Sequence, residues 1–520
     1  MRYLLSVFMV LPFMVFSQDY INQRYDRQRI LMPNVGSGCY NLDPNDKIYR
    51  IGTLFDFNDD TLHMMALDTM RQGQPLKYYT IFNASQICNK EGKLVAYFNG
   101  QELWDRYGNK ILLEQYYSVE ENSYPSRYDI NASIILPFPG RDSTYVLVST
   151  DDHRFDNISG VTLAEDFSAV VFKERHDGRL QILNGIPTLH KAKYCFDGVI
   201  TANRHANGRD WWLVAPERRG KTFHVFLLDP QGIRYHHSQL IEAIIFYGSY
   251  CPVFSPDGQW YTRTEIDHTG QQWRTIDKIQ LFHFDRCSGL FSEPSEIVFP
   301  VSDTAGVVQV LFDAKSQYYY IMRTKEIYQG NIQSEITLEN LIKLGSVNFN
   351  LPDANLWSVI AQGFLAPDGK IYTFDGRNSF RSSIIHHPSE EALACGFEYA
   401  GLVKPSCTGF SFGNMPDFNL GPLDGSPCDT LGLDNTASVT GEIVKKSTPE
   451  LYPNPVGNKL YGRWEEAWTN RSVTVYDFSG KKVWHGKAAI LQSGLDISHL
   501  SAGVYFVIIQ GVKVMKVVKM

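Results

Sequence analysis

Several groups of residues in this chain are of types that could do chemistry, and their spacing is the first test of each. Gly409-Phe410-Ser411-Phe412-Gly413 has the G-x-S-x-G form of a serine-hydrolase elbow, which needs a strand before the serine and a helix after it. Pro405 and Cys407 precede it and Asn414-Met415-Pro416 follows, which disfavours an immediate helix, so a glycine-rich loop is expected there. Asp151-Asp152-His153, at the end of an expected strand over 145–150, and Asp257 with Glu265, Asp267 and His268, could hold a divalent cation in a funnel. Aspartates at turns more often cap their own backbone, however, and spacing alone supplies no ligand set. Residues 56–60 begin like a calcium loop, but Thr61 stands where glycine is required and Leu67 where the bidentate acid belongs. His236-His237 and His386-His387 would point to opposite faces of a strand and are expected to be poor joint ligands. Trp211, Trp212, Trp260 and Trp273 could stack on sugars, although packing between sheets is the commoner use of such residues. No catalytic, metal or cofactor residue is assigned from these groups.

The elements that must position these residues are β-strands. Aromatics make up 13% of the 520 residues, with 40 Gly and 24 Pro, and few segments keep a helical period, which is an all-β profile rich in turns. Phe254-Ser255-Pro256-Asp257-Gly258-Gln259-Trp260-Tyr261 and Leu365-Ala366-Pro367-Asp368-Gly369-Lys370-Ile371-Tyr372 are two copies of one unit, a tight turn followed by an aromatic strand. Weaker copies begin near Asp43, Asn89, Pro139, Ala206 and Asp313. Seven turns at intervals of roughly 45 to 67 residues match the blade spacing of a β-propeller. A blade cannot bury both faces of its sheet alone, so stacking about an axis is expected, with about seven blades over residues 35–420. Two β-sandwiches are the alternative, but they leave the shared turn unexplained.

The two ends carry targeting information. Arg2 followed by the apolar residues 4–16 and the small Ser17 reads as a signal peptide over 1–17, leaving Gln18 first in the mature chain. The stretch is short for a membrane span of ~20 residues, and no transmembrane segment is expected after its removal. Residues 421–450 are rich in Gly, Pro, Ser, Thr and Asp and read as a linker. Residues 451–520 hold short strands with Tyr452-Pro453-Asn454-Pro455, Tyr476-Asp477-Phe478-Ser479-Gly480-Lys481, Leu495-Asp496-Ile497-Ser498 and Ser501-Ala502-Gly503-Val504-Tyr505, in that order. This run resembles the type A C-terminal sorting domain of proteins exported by the type IX secretion system of Bacteroidota. That resemblance implies a small β-sandwich, the secretion machinery as partner, and Tyr452, Pro453, Asn454, Pro455, Asp477, Gly480, Gly503 and Tyr505 as its sorting motif. It also implies passage through the periplasm to the outer cell surface or the medium. Ile87-Cys88-Asn89-Lys90-Glu91-Gly92-Lys93-Leu94, Asn203-Arg204-His205-Ala206-Asn207-Gly208-Arg209-Asp210-Trp211-Trp212 and Asn414-Met415-Pro416-Asp417-Phe418-Asn419 further resemble the propeller of Bacteroidota surface and gliding-associated proteins.

A formal net charge of −7 gives no basic footprint, so no nucleic-acid partner is expected. Eight cysteines in an exported chain permit disulfides; Cys395 and Cys407 are the candidate bridge, with buried free thiols as the alternative. Two functional classes remain. One is a non-catalytic propeller that binds an extracellular protein or glycan through loops such as 57–75, 118–130 and 265–276, with Gln271, Gln272 and Trp273 as candidate contacts. The other is a propeller hydrolase or lyase with a site in the axial funnel. They differ in whether ionisable side chains from several blades converge on the axis.

Overall fold

The recurring turns follow from their residues. In the computed structural model, Gly92, Gly140, Gly208, Gly258 and Gly369 all lie at positive φ, from 70° at Gly258 to 82° at Gly92, and Ser316 takes the equivalent place at 55°. In five of the six the turn is closed by a bond from that amide to the carbonyl three residues earlier, as from Gly258 to Ser255 (2.8 Å) and from Gly369 to Ala366 (2.9 Å); at Gly140 the bond comes one residue later, from the Arg141 amide to Phe138 O (3.2 Å). A β-carbon is disfavoured in this conformation, which explains the repeated glycine. Where serine replaces it, Asp313 supports the turn by accepting from the amides of Lys315, Gln317 and Tyr318. The structure describes residues 23–31, 52–59, 61–66, 84–100, 102–111, 113, 132–156, 161–196, 199–217, 221–241, 249–265, 278–300, 307–347, 360–375, 379–408, 414–433, 450–463, 469, 471–477, 481–509 and 514–520. The turn expected near Asp43 lies outside them.

Each of the six described turns joins the first two strands of one sheet. Among the described residues seven antiparallel sheets follow one another, over 28–66, 85–111, 133–196, 201–240, 249–298, 307–346 and 360–408, with strands in chain order inside each except the fifth, whose last strand, Ser295–Val298, returns to pair with Lys278–Asp285. The first has three strands, the fifth has five and the others four. Blade 1 begins at Gln28, before the expected boundary at 35, and His63–Ala66, expected in a loop, is its third strand.

The core lies between sheets. Ile30 and Leu54 meet Leu94 and Tyr97 between blades 1 and 2, and one large cluster spans blades 2 to 4. Trp212 and Phe223 pack on Tyr261 and Phe282 between blades 4 and 5, Ile279 and Leu281 on Val310 and Tyr319 between 5 and 6, and Tyr320 and Met322 on Ile371 and Ile385 between 6 and 7. Phe55 and Phe57 of blade 1 then pack on Phe364 and Tyr372 of blade 7, with ring centroids 6.0–6.3 Å apart. This last interface closes the ring. The fold is a β-propeller.

After blade 7 the chain returns to the inner strands. The Asn414 amide donates to Ala84 O of blade 2 (2.9 Å), and its side chain donates to Ser133 O of blade 3 (2.9 Å) and to Ile200 O beside blade 4 (2.7 Å). Phe418 is fully buried among blades 2 to 4. The chain goes on through Leu423, whose amide bonds Ala206 O (2.9 Å), to a disulfide between Cys428 and Cys287 of blade 5. Residues 421–428, expected in the linker, are thus fastened to the propeller. The expected Cys395–Cys407 bridge is corrected: Cys395 is a free thiol buried in the core between blades 6 and 7, and Cys88 and Cys251 are free as well.

The tail is a separate compact unit. One sheet pairs Glu450–Tyr452, Lys459–Arg463 and Leu495–Asp496; the other orders Lys482–Lys487, Ser472–Asp477, Gly503–Ile509 and Val514–Lys519. Val456, Leu460, Val473, Val475, Leu495 and Val507 fill the space between them, with Leu491 from a one-turn helix, Ala489–Ser493, that the sequence reading missed.

The Cys287–Cys428 bridge spans 141 residues of sequence. Cys428→Ser is expected to lower unfolding stability by about 2–4 kcal/mol, read as a lower thermal midpoint, because the open chain regains loop entropy. An unchanged midpoint would mean that the non-covalent contacts of 414–423 hold this segment unaided.

Candidate functional site

Buried charge concentrates where residues 414–423 cross the turns of blades 4 and 5. Arg204, ending the first strand of blade 4, lies 3.6 Å above the Trp211 ring and donates to Phe418 O (2.9 Å) and Arg209 O (3.0 Å). Arg286 donates to Arg204 O (3.0 Å), His205 O (3.3 Å) and Gly421 O, while its own carbonyl accepts from Trp212 Nε1 (2.8 Å). Burial lowers Arg204 to about 9 and Arg286 to about 10. Asp417, on the crossing segment, is raised to about 6, chiefly by burial, although the Asn419 amide and both arginines pull it down. Two turn glycines answer to this segment as well as to φ. A β-carbon on Gly208 would lie 2.6 Å from Pro422 N, and one on Gly258 would lie 2.6 Å from both Asn203 Oδ1 and Leu420 Cδ2. A cavity of about 240 Å³ opens beside it, lined by Asp257, Gln259, Arg286, Lys315, Asp417 and Leu420 among others.

The residues singled out in the sequence are dispersed. Asp257 accepts from the Gln259 amide (3.0 Å) and from Ser255 Oγ (2.5 Å), so its carboxylate braces its own turn. Asp151-Asp152-His153 do not end a strand as expected: the strand Thr144–Asp156 runs on through them, with Asp151 opposite Asp166. Trp211 and Trp212 are buried and pack between blades, and Trp260 stands against His283 at 5.5 Å. Gln271, Gln272, Trp273, Asp267, His268 and the Gly409–Gly413 motif lie outside the described residues, as does Gly480. Among the described residues no group of three or more His, Cys, Asp or Glu is placed to hold a metal. His386-His387 lie beyond the strand Ser379–Ile385, where His386 Nε2 is 3.0 Å from Glu398 Oε2. His236-His237 depart from the expected opposite faces: a bulge brings their rings to one side, with Nδ1 atoms 2.8 Å apart. The sequence reading missed Arg204, Arg286 and Asp417 as a set, because nothing local links positions so far apart.

The tail's motif has a definite job. Asn454, between Pro453 and Pro455, donates from Nδ2 to Lys516 O (2.9 Å) and accepts at Oδ1 from the Val518 amide (2.9 Å). Its side chain thereby imitates a neighbouring strand. Val456 N then donates to Val518 O (2.7 Å) and Met520 N to Val456 O (3.0 Å). Tyr452 stacks on Tyr461 at 5.8 Å, and the Asp477 carboxylate accepts from the Lys481 amide (3.0 Å) across the hairpin turn. Tyr505 is buried and donates to Ser501 O (2.8 Å) beside Gly503. The start of the motif is therefore locked to the last strand of the chain.

Residues 450–520 match the family of secretion system C-terminal sorting domains. The tail is a sorting domain. It marks the chain for type IX export, to be secreted or held at the outer cell surface. No helix among the described residues is long and apolar enough to cross a membrane. No curated protein matches the sequence. Similar solved structures include a protein from Lactobacillus plantarum (11% identity, TM-score 0.39, covering 75% of this chain and 98% of that one). A Bacteroides fragilis protein described as a 6-phosphogluconolactonase has 11% identity, a TM-score of 0.40 and the same coverages. The periplasmic gluconolactonase of Pseudomonas aeruginosa has 10% identity and a TM-score of 0.38, covering 74% of this chain and 98% of that one. Likeness of this degree transfers no activity.

Two outcomes follow from this geometry. Asn454→Ala removes both bonds to the last strand at about 1 kcal/mol each; pulse-labelled cells are expected to show the variant held back from the surface, and normal delivery would remove the motif's structural role from export. Asp417 binds its proton more tightly folded than unfolded, so its contribution to stability falls as pH rises from about 4 through about 6. Asp417→Asn is expected to gain on the wild type between pH 4.5 and 7.5 in urea unfolding; parallel pH profiles would contradict this.

Proposed function

We propose that the propeller is a non-catalytic recognition module that sorting-domain export delivers to the cell exterior, where it binds a protein or glycan through its loops. The observation that carries this reading is how the buried charge is used. Arg204 and Arg286 hold backbone carbonyls of the returning segment, Asn414 ties three blades together, and Asp257 and Asp313 brace turns. The arginines and aspartates named here therefore bond the fold's own backbone and turns, Arg286 and Asp257 included although they also line the cavity beside Asp417, whereas catalysis needs such groups free to reach a substrate. A rigid ring with variable connections is the common arrangement for recognition.

The proposed contacts are loops 118–130 and 265–276, with Gln271, Gln272 and Trp273 central to the second. Replacing these three by Ala is expected to weaken binding on a glycan and surface-protein array at least tenfold, with the thermal midpoint nearly unchanged. Hydrolysis of a lactone or polysaccharide that disappears on changing Asp151, Asp152 and His153, with the fold intact, would overturn the recognition reading in favour of an axial enzyme.

A further inference from the structure

His236 and His237 occupy consecutive places in the outermost strand of blade 4, Gly232–Leu240, where regular alternation would part them. The ladder to the neighbouring strand is broken there. Val225 pairs with His237 and Phe226 with Tyr235, which leaves His236 as the extra residue of a bulge. Both rings stand edge-on to Trp212, with centroids at 5.0 and 6.4 Å, and their Nδ1 atoms lie 2.8 Å apart. The other nitrogen of His237 is buried, and its Cε1 approaches the Gly289 turn. Nδ1 is therefore the nitrogen that His237 can offer to a ligand. His236 is exposed, so the pair opens to solvent.

We propose that His236 and His237 form a bidentate site for a nitrogen-seeking divalent transition metal, Cu(II) ahead of Ni(II) and Zn(II), with water or a group from a bound partner completing the coordination. The separation decides the metal. An ion about 2.0–2.1 Å from both nitrogens would see them at roughly 85–90°, given their spacing of 2.8 Å. That is the cis angle of a tetragonal or square-planar site, whereas a tetrahedral ion at the same bond length needs its ligands about 3.4 Å apart. Copper(II) also leads the general affinity order for nitrogen donors. Without metal, one ring's Nδ1–H donates to the other ring's Nδ1 lone pair; when the neutral pair chelates, that proton shifts to its own ring's Nε2, so no net proton is released. The bulge and the edge-on contacts with Trp212 place both Nδ1 atoms side by side before any ion arrives, which reduces the ordering cost of chelation.

The test is titration of the mature full-length chain with Cu(II) in a non-chelating buffer, followed by visible absorption and by nitrogen hyperfine structure in electron paramagnetic resonance. One Cu(II) with nitrogen ligands is expected. His236→Gln and His237→Gln should each weaken it at least tenfold, while the double variant His386→Gln with His387→Gln should bind as the wild type does. Zn(II) should bind more weakly than Cu(II). Paramagnetic broadening of ring signals confined to His236 and His237 in the wild type reads the site without any substitution. Unchanged uptake when both His236 and His237 are replaced, broadening spread over other histidines, or no uptake by the wild type would each overturn the proposal.

Discussion

Burial of sheet faces against neighbouring sheets is the constraint on which the rest of this molecule depends. A small antiparallel sheet with apolar residues on both faces cannot hide them alone, so each blade is stable only beside two others. The decisive contact is the one between the ends of the ring. Phe55 and Phe57 are fully buried on Phe364 and Tyr372, and each such side chain contributes about 1.5–3 kcal/mol by leaving water. Arg29 adds its guanidinium 4.2 Å over the Phe364 ring at the same junction. Without this interface two blades would expose aromatic faces, and the other interfaces would lose the curvature that closure imposes.

Closure also explains the returning segment. The inner strands end in polar groups that water cannot reach, and Asn414 answers three blades at once. Buried arginines are tolerated because carbonyls of the same segment accept their protons. Asp417 sits beside them, where partial burial disfavours its charge although it borders the cavity. The Cys287–Cys428 bridge then makes the arrangement covalent, which suits a chain that reaches an oxidising exterior.

The sorting domain obeys a related logic on a smaller scale. The segment after its first strand meets its last strand through the Asn454 side chain and two backbone bonds of Val456, so the sandwich is complete only when the final residues are present. Recognition by the secretion machinery can therefore depend on the finished shape as well as on the motif residues themselves.

What the sequence by itself determined is local. The Pro-Asp-Gly turns were readable because each depends on one left-handed residue and an amide-to-carbonyl bond spanning three positions, and such bonds leave their mark in adjacent letters. The tail strands Ser472–Asp477 and Gly503–Ile509 were readable for the same reason, by alternation and order. Only the tertiary structure decided that Cys428 pairs with Cys287 while Cys395 stays free, since partners 141 residues apart meet through blade order and nothing near either cysteine encodes it. The same holds for Arg204, Arg286 and Asp417. The histidine pair shows the limit most plainly: strict alternation separates His236 from His237, and one register shift against the strand Thr222–Asp229 brings them together. A bulge belongs to two strands, and a single strand's letters cannot announce it.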